Sequence, residues 1–224
     1  MRVVTWNIQH GRRHDDGRPD PAALAEVCSA LGADVLALQE VDRGTARVGG
    51  VDLLGVAAAA TGLTPVDGPA RPLEGGTCGN ALLVAGQPEA VDVLPLPRVR
   101  RRGEPRVLLR CRFAGVTLAT CHLDHRIDAA MQLGAAFSML PAAGPAVLVG
   151  DLNLDPGTVD AVVAVAGPGW SQVDVPAAFP SGAPRRVIDH VLVREVGVAG
   201  IGPPAARPAV SDHRPVTVEL DWSR

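Results

Sequence analysis

The sequence predicts a mixed α/β or α+β fold with a largely β core, and three observations support that prediction. Short segments rich in Val, Leu or Ile and bounded by turn residues have the pattern of strands. Amphipathic segments of helical period lie in several of the gaps between them. The chain has 224 residues, 47% of them hydrophobic, and contains no low-complexity tract or repeat at solenoid spacing. We therefore expect one domain, residues 1–224, around a substantial core.

The strand segments are spread over the whole chain. They cover residues 2–8, 34–40, 80–86, 106–113, 116–123, 146–153, 187–194 and 215–222. Every apolar stretch is short and is broken by Gly, Pro or charge, so no membrane-spanning helix is expected. The chain begins MRVVTWNI, which is typical of a strand and lacks the long apolar region of a signal peptide. These features predict a cytoplasmic protein.

The first helix is the most sharply marked. Asp20 is a suitable N-cap, Pro21 fits the first helical position, and Gly32 ends the pattern. Between them Leu24, Val27, Cys28 and Leu31 recur at the spacing of one helix face. Similar patterns predict helices over residues 52–62, 126–140 and 158–167.

Charge and cysteine content give little sign of a nucleic-acid or metal-thiolate protein. The formal net charge is −3, and the 21 basic residues are all Arg, so the charge balance does not indicate a nucleic-acid partner. The local run RVRRRGEPR at 98–106 is typical of a solvated loop, and with three Trp, three Phe and no Tyr few rings are available to stack bases. The four cysteines lack CxxC spacing and lie in apolar segments, which predicts buried free thiols.

Polar residues stand where an apolar strand ends in AVLVGDLNLDP, residues 146–156. Asp151, Asn153 and Asp155 follow one another at alternate positions there. The DPG at 155–157 is by itself a turn signal. Asp151 and Asn153 share their parity with Val147 and Val149, so a continued extended conformation would carry one strand face from the core into a polar cluster.

The same pattern recurs along the chain. Each of these polar residues taken alone is compatible with a cap, a turn or a hydrogen-bonded core polar group. Eight of them at or near strand ends are harder to explain as separate coincidences. Carboxylate and amide oxygens suit a hard cation such as Mg²⁺, while two His without Cys or a His-x-x-x-His pair argue against zinc. The eight positions are Asn7, Glu40, His122, Asp151, Asn153, Asp189, Asp212 and His213.

The chain resembles the endonuclease/exonuclease/phosphatase superfamily with the DNase I-like fold. The matching stretches, in the order of that family, are TWNIQHG, ADVLALQEVD, TCHLDH, VGDLN, VIDHVLV and SDHRPV, and they span residues 3 to 218. The resemblance implies an α+β four-layer α/β/β/α sandwich of two mixed β-sheets with outer helices. It also implies an active site at one edge of the sandwich and hydrolysis of a phosphate ester by in-line attack of an activated water.

The resemblance also implies a role for each of the eight positions. Glu40 is similar to the main metal carboxylate of the family, and Asn7 and Asp212 help to hold the ion or its waters. The implied cofactor is Mg²⁺, with Mn²⁺ as a substitute. Asp151 corresponds to the residue that orients or deprotonates the water, and Asn153 donates to a phosphoryl oxygen. The histidines His122 and His213 flank the phosphate, and Asp189 orients His213.

Two further residues are candidates for substrate binding. His10 lies in the polar loop after the Asn7 strand. If residues 106–113 and 116–123 form a hairpin with Ala114-Gly115 as its turn, His122 lies opposite Val107 and Arg106 lies opposite Leu123. Arg106 would then stand at the same sheet edge as His122, where it could bind a non-transferred phosphate; the alternative is a solvated surface Arg.

The substrate stays open at this stage. Abasic-site endonucleases of the superfamily carry a Tyr where this chain has His122, which disfavours DNA-repair cleavage, and the short chain leaves little room for loops that clamp duplex DNA. Small or lipid-like phosphodiesters and phosphomonoesters rank level with nucleic acids.

The other function class is a phosphate-ligand-binding protein without turnover, and retention of all eight positions favours the enzyme. No GxGxxG follows the first strand, which sets a Rossmann-type binder aside. The oligomeric state is not indicated.

Overall fold

The computed structural model describes residues 1–98, 103–125, 128–166 and 169–222, which build two six-stranded mixed sheets. The first sheet contains β1 (Arg2–Asn7), β2 (Val35–Arg43), β3 (Thr64–Leu73), β4 (Gly76–Val84), β11 (Gly197–Ile201) and β12 (Val216–Asp221), in the order β11-β12-β1-β2-β4-β3. The second contains β5 (Val91–Pro95), β6 (Val107–Phe113), β7 (Val116–Cys121), β8 (Ala146–Asp151), β9 (Trp170–Gln172) and β10 (Asp189–Arg194), in the order β5-β6-β7-β8-β10-β9.

The sheets pack face to face and helices cover their outer faces, so the four-layer α+β sandwich is confirmed. One apolar cluster lies between the sheets and includes Val35, Leu82, Val147 and Val191. A second lies between the first sheet and the helices α1 (Pro21–Ala30) and α2 (Leu53–Thr61). A third joins the second sheet to α3 (Ala129–Met139) and α4 (Pro156–Ala166).

The helix predictions hold for α1 and α2 and need correction at α4. The Asp20 carboxylate accepts the amide of Ala23 at 3.0 Å, Asp52 caps the start of α2, and Gly62 caps its end. Helix α4 begins at Pro156, two residues before the predicted start, because Asp155 accepts both the amide and the hydroxyl of Thr158. The DPG segment is therefore the first turn of a helix and not a separate turn. The predicted boundaries at 126 and 167, and Arg100 to Arg102, lie outside the described residues.

The β6–β7 hairpin has the predicted register. Leu108 pairs with Cys121 and Phe113 with Val116, and both turn residues, Ala114 and Gly115, have positive φ as a primed two-residue turn requires. Continued by two residues, this register places Arg106 opposite Leu123. The extended conformation was expected to continue from Asp151 to Asn153, and this is wrong. Strand β8 ends at Asp151, and Asn153 has a φ of 53°. A left-handed turn, and not continued alternation, brings Asn153 to the end of the strand.

Two expectations about composition can be compared with the fold. All four cysteines, at 28, 78, 111 and 121, are buried free thiols, as predicted. Among the described segments, no helix has the length and apolar character needed to cross a membrane.

Candidate active site

A cleft of about 440 Å³ opens where β1 and β8 end, beside the irregular part of β2 that carries Glu40. Eight of the ten residues singled out from the sequence line this cleft: Asn7, Glu40, Arg106, His122, Asp151, Asn153, Asp212 and His213. The other two lie directly behind its wall. The Nδ1 atom of His10 is 3.6 Å from Glu40 Oε2, and Asp189 is buried behind His213.

Asn7 links the two sheets through its side-chain amide. Its Nδ2 donates to Asp151 Oδ2 at 3.0 Å and to Glu40 Oε1 at 3.2 Å, while its Oδ1 accepts the backbone amide of Gln9 at 3.0 Å. The Gln9 bond fixes which end of the amide faces the cleft. Asn7 therefore presents its donor side to both carboxylates, and its oxygen accepts from the Gln9 amide.

Glu40 reaches the cleft through an irregularity in β2. Between Leu38 and Val41 the pairing of β2 with β4 shifts, and Glu40 has a φ of 56°. This bulge turns its side chain out of the sheet alternation. Burial alone would raise the pKa of Glu40, but the His10 ring and the Asn7 amide favour the carboxylate and hold that pKa below its ordinary value.

The side-chain oxygen Oδ2 of Asp151 is the point on which the site converges. In addition to the Asn7 amide, it faces His122 Nε2 at 3.5 Å and His213 Nε2 at 3.6 Å. Burial, together with the charge of nearby Asp189, raises the pKa of Asp151 to about 7. Burial and the charge of Arg106 lower the pKa of His122 to about 3, so this ring is neutral at neutral pH.

His213 is held by a buried carboxylate. Its Nδ1 lies 2.8 Å from Asp189 Oδ2, and both side chains are almost fully buried. Burial would lower the pKa of His213, but the charge of Asp189 and this hydrogen bond outweigh it and raise the pKa to about 9. The bond also fixes the orientation of the ring, so that Nε2 faces Asp151.

Backbone strain is concentrated at this site. Non-glycine residues with positive φ are uncommon. In the described part of the chain eight such residues occur, and five of them belong to the site or its border: Gln9, His10, Glu40, Asn153 and Ser211. Strained conformations persist only where the surrounding structure imposes them, and they cluster at functional sites.

The segment before β12 is fixed by residues that sequence reasoning did not single out. The Ser211 hydroxyl donates to the Asn7 carbonyl at 2.5 Å and accepts the His213 amide at 3.0 Å. The indole of Trp6 donates to the His213 carbonyl at 3.0 Å. The Ser of SDHRP and the Trp beside Asn7 were visible in the sequence, but the Ser211–Asn7 and Trp6–His213 contacts each join residues more than 200 positions apart.

The cleft wall beyond His122 contains further residues that the sequence did not indicate. Arg71, on β3, and Glu104 lie beside Arg106, and Phe179 packs against His213 with ring centroids 4.8 Å apart. Arg186 stands 5.5 Å above the Phe179 ring. Arg106 is not a solvated surface residue, because only 10% of its side chain is exposed.

Comparison with known proteins decides the family. The family model described as Endonuclease/Exonuclease/phosphatase family matches residues 4–213. The chain belongs to this family. No curated protein sequence is recognisably similar to it.

Solved structures of the Endonuclease/Exonuclease/phosphatase family have the same DNase I-like fold. A protein from Beutenbergia cavernae DSM 12333 superposes with a TM-score of 0.80 at 24% identity, over 98% of this chain and 71% of the other. The mannosyl-6-phosphatase of Bacteroides thetaiotaomicron VPI-5482 has a TM-score of 0.68 at 18% identity, over 99% and 100%. D. rerio TDP2 complexed with single strand DNA product has a TM-score of 0.66 at 15% identity, over 99% of each chain.

Members of the Endonuclease/Exonuclease/phosphatase family are usually hydrolases of phosphoester bonds and typically use a divalent metal. Two groups of side chains in this cleft offer ligand atoms for such an ion. Ligand atoms of Asp151, Asp189 and His213 lie within 4.8 Å of one another, and among the described residues Asp189 Oδ1 has no hydrogen-bond partner. Glu40 and Asp212 add two carboxylates on the open side.

Proposed function

We propose that this chain is a Mg²⁺-dependent phosphoesterase that hydrolyses a phosphodiester or phosphomonoester by in-line attack of water. One observation carries the proposal: a single buried oxygen, Asp151 Oδ2, faces the Asn7 amide and the Nε2 atoms of both His122 and His213. A buried carboxylate whose position is fixed by neighbours on three sides can orient a water in the cleft and take its proton. A pKa near 7 matches that task at neutral pH.

The surrounding groups are placed to stabilise the phosphoryl oxygens. His213, kept protonated beside Asp189, offers its Nε2–H to the same space that Asp151 faces. In this proposal Asn153 and neutral His122 donate to the remaining oxygens and His10 supports Glu40. Donors fixed in this way stabilise charge that develops in the transition state without having to reorganise.

The cation is proposed to lie on the Glu40 and Asp212 side of the cleft. Both residues offer carboxylate oxygens, and Asn7 holds Glu40 in place through its Nδ2. Because Mg²⁺ usually keeps several of its waters, these few protein ligands would be enough. The Asp151–Asp189–His213 group is less suitable, because His213 Nδ1 and Asp189 Oδ2 already bind each other at 2.8 Å. When bound, Mg²⁺, or Mn²⁺ in its place, supplies positive charge to the phosphoryl oxygens.

The substrate class rests on the chemistry of the cleft. The named relatives include a mannosyl-6-phosphatase and a TDP2 bound to a single strand DNA product, so a small phosphoester and a nucleic acid are both represented on this fold. The net charge of −3 favours the small phosphoester. A silent phosphate-binding protein is the second candidate, and the strained, donor-rich surroundings of Asp151 favour turnover. We further propose that residues 1–224 act as one catalytic domain in the cytoplasm.

A phosphoester panel tests the proposal. Bis-p-nitrophenyl phosphate, hexose phosphates, plasmid DNA, RNA, sphingomyelin and inositol phosphates are assayed with Mg²⁺, with Mn²⁺ and with EDTA. We expect turnover of at least one substrate with either metal, loss of turnover in EDTA, and a fall of about 10²-fold or more in kcat for Glu40→Gln.

Glu26→Gln is the matched control, because Glu26 is exposed on α1. Circular dichroism and the urea midpoint show whether each variant is folded. Full activity after thorough metal removal, or wild-type kcat in Glu40→Gln, contradicts the metal assignment. Tight phosphate binding without turnover of any substrate supports the silent binder.

A further inference from the structure

Two arginines from different sheets meet on the cleft wall beside His122. Arg71 lies on β3 of the first sheet, and Arg106 directly precedes β6 of the second. We call the set of Arg71, Glu104 and Arg106 the arginine pocket. Its three residues line the same cleft as Glu40 and Asp212.

Glu104 shows where the two guanidinium groups converge. Its Oε1 lies 2.8 Å from Arg71 Nη2, and its Oε2 lies 3.4 Å from Arg106 Nη2. The Glu104 carboxylate therefore occupies the space between them, and that space can accommodate a small anion. Guanidinium groups bind carboxylate and phosphate in the same bidentate manner.

The three side chains differ in how firmly they are held. Glu104 is 50% exposed, whereas the side chains of Arg71 and Arg106 are 26% and 10% exposed. An exposed carboxylate in an ion pair is weakly held. The Nε–H of Arg106 is buried and finds no hydrogen-bond partner within the described residues. Glu104 is thus the most exposed of the three, the two arginines are more buried, and Arg106 keeps an unused donor.

The position of the pocket relative to the reacting phosphate follows from the hairpin. Arg106 lies opposite Leu123 by the β6–β7 register, next to His122, and its charge lowers the pKa of that histidine. A ligand group held by the arginine pocket would therefore sit on the His122 side of a phosphate that faces Asp151.

We propose that the arginine pocket binds a second phosphate of the substrate, which displaces Glu104. The proposal rests on the proposed function and narrows it to phosphoesters that carry another phosphate near the reacting one. A phosphate brings more negative charge than the Glu104 carboxylate and more oxygens for the two guanidinium groups. Glu104 then acts as an internal competitor that keeps singly charged ligands from binding here. A nucleotide and a sugar bisphosphate both offer this chemistry.

Binding in EDTA tests the pocket independently of turnover. Two matched pairs of probes are titrated calorimetrically: thymidine monophosphate against thymidine bisphosphate, and glucose monophosphate against glucose bisphosphate. For at least one pair we expect the wild-type protein to bind the bisphosphate about 10-fold more tightly, which corresponds to one good charge-assisted contact. The pair that shows the preference identifies the source of the second phosphate.

Variants assign the preference to residues. Arg71→Gln and Arg106→Gln are each expected to reduce the ratio of the two Kd values towards one, and Glu104→Gln is expected to increase it several-fold. Arg112→Gln is the control, because Arg112 lies at the far end of β6 and pairs with Glu89; its ratio should equal that of the wild type.

The outcomes separate this inference from the proposed function. A ratio near one in both pairs, a ratio unchanged in both arginine variants, or a ratio lowered in Glu104→Gln overturns the arginine pocket even if the enzyme hydrolyses phosphoesters. A clear preference that depends on both arginines supports it even if the substrate panel shows no turnover, a result that would overturn only the proposed function.

Discussion

At the scale of single residues, the site depends on how one carboxylate is surrounded. Asp151 could be identified from the sequence because it interrupts an apolar strand. The sequence did not show that its Oδ2 meets an Asn7 amide from the other sheet at 3.0 Å. The resemblance implied that Asp189 orients His213, but not that the His213 ring faces this same oxygen. These contacts join residues far apart in the chain, so no local pattern encodes them.

The first prediction concerns the Asp189–His213 pair. His213→Ala should lower kcat by about 10²–10⁴-fold, because it removes a donor aimed at the reacting centre. Asp189→Asn should lower kcat less, because the ring remains but loses the partner that keeps it protonated and oriented. The double variant should be scarcely worse than His213→Ala, since both act through one imidazole. Steady-state kinetics on the best substrate measure all three.

Asp174→Asn is the control for that series, because Asp174 is exposed and outside the cleft lining. Fully multiplicative losses in the double variant would show that Asp189 acts independently of His213. Near wild-type turnover in His213→Ala would remove that residue from the mechanism.

The candidate site could be predicted well at the ends of interior strands and poorly elsewhere. Eight of the ten residues chosen from the sequence line the cleft. Arg71 was missed because it lies on β3, a strand with three prolines that has no alternating apolar pattern. Glu104 was missed because it is placed in the cleft wall by its ion pairs with Arg71 and Arg106, which only the tertiary structure brings together.

At the scale of elements, the strands recognised from the sequence are the interior strands. The eight predicted segments correspond to β1, β2, β4, β6, β7, β8, β10 and β12, and the four missed strands, β3, β5, β9 and β11, form the four sheet edges. Interior strands such as β8 and β10 are buried on both faces and have continuous apolar runs, whereas β12 alternates buried and half-buried positions. Edge strands carry Pro, Gly and exposed positions, which discourage pairing with other chains and also weaken the sequence pattern.

The second prediction concerns Gly150, which precedes Asp151 in β8. An added Cβ there would lie 2.0 Å from the Cys121 carbonyl oxygen, and the residue has a φ of 148°. Gly150→Ala should therefore lower the free energy of unfolding by about 2–4 kcal/mol, through strain and overpacking between β7 and β8. Urea denaturation measures the change.

Gly134→Ala is the matched substitution of opposite sign. Gly134 lies inside α3, and a Cβ there meets nothing within 4 Å. Ala is the better helix former, so this variant should be more stable by about 0.5–1 kcal/mol. Equal effects of the two substitutions would refute the close approach of β7 and β8 at Gly150.

At the scale of the whole molecule, the two sheets are joined by polar contacts directly beneath the cleft. Gln39, buried in β2, donates from Nε2 to the hydroxyl of Thr5 on β1 at 3.1 Å and to that of Thr120 on β7 at 3.0 Å. Glu40 follows Gln39 directly, and His122 follows Thr120 by two residues. The contact that joins the sheets thus lies next to two cleft residues, and buried Asn80 of β4 adds another contact between the sheets by donating to the Val107 carbonyl at 3.1 Å.

The last prediction follows from the cost of unpaired polar groups in the core between the sheets. Gln39→Leu should lower the free energy of unfolding by about 1–3 kcal/mol, because the Thr5 and Thr120 hydroxyls then lie buried without their amide partner. Adding Thr5→Val and Thr120→Val removes those groups while preserving their shape, so the triple variant should recover most of the lost stability. Urea denaturation measures the free energy of unfolding of each variant. The comparison is valid if the m-value is the same in all variants, because the unfolded state is then unchanged. If the three polar groups instead stabilise the sandwich independently of one another, the triple variant will be the least stable of the series. Recovery of stability without recovery of kcat would show that the Gln39 contacts position Glu40 and His122 in addition to satisfying one another.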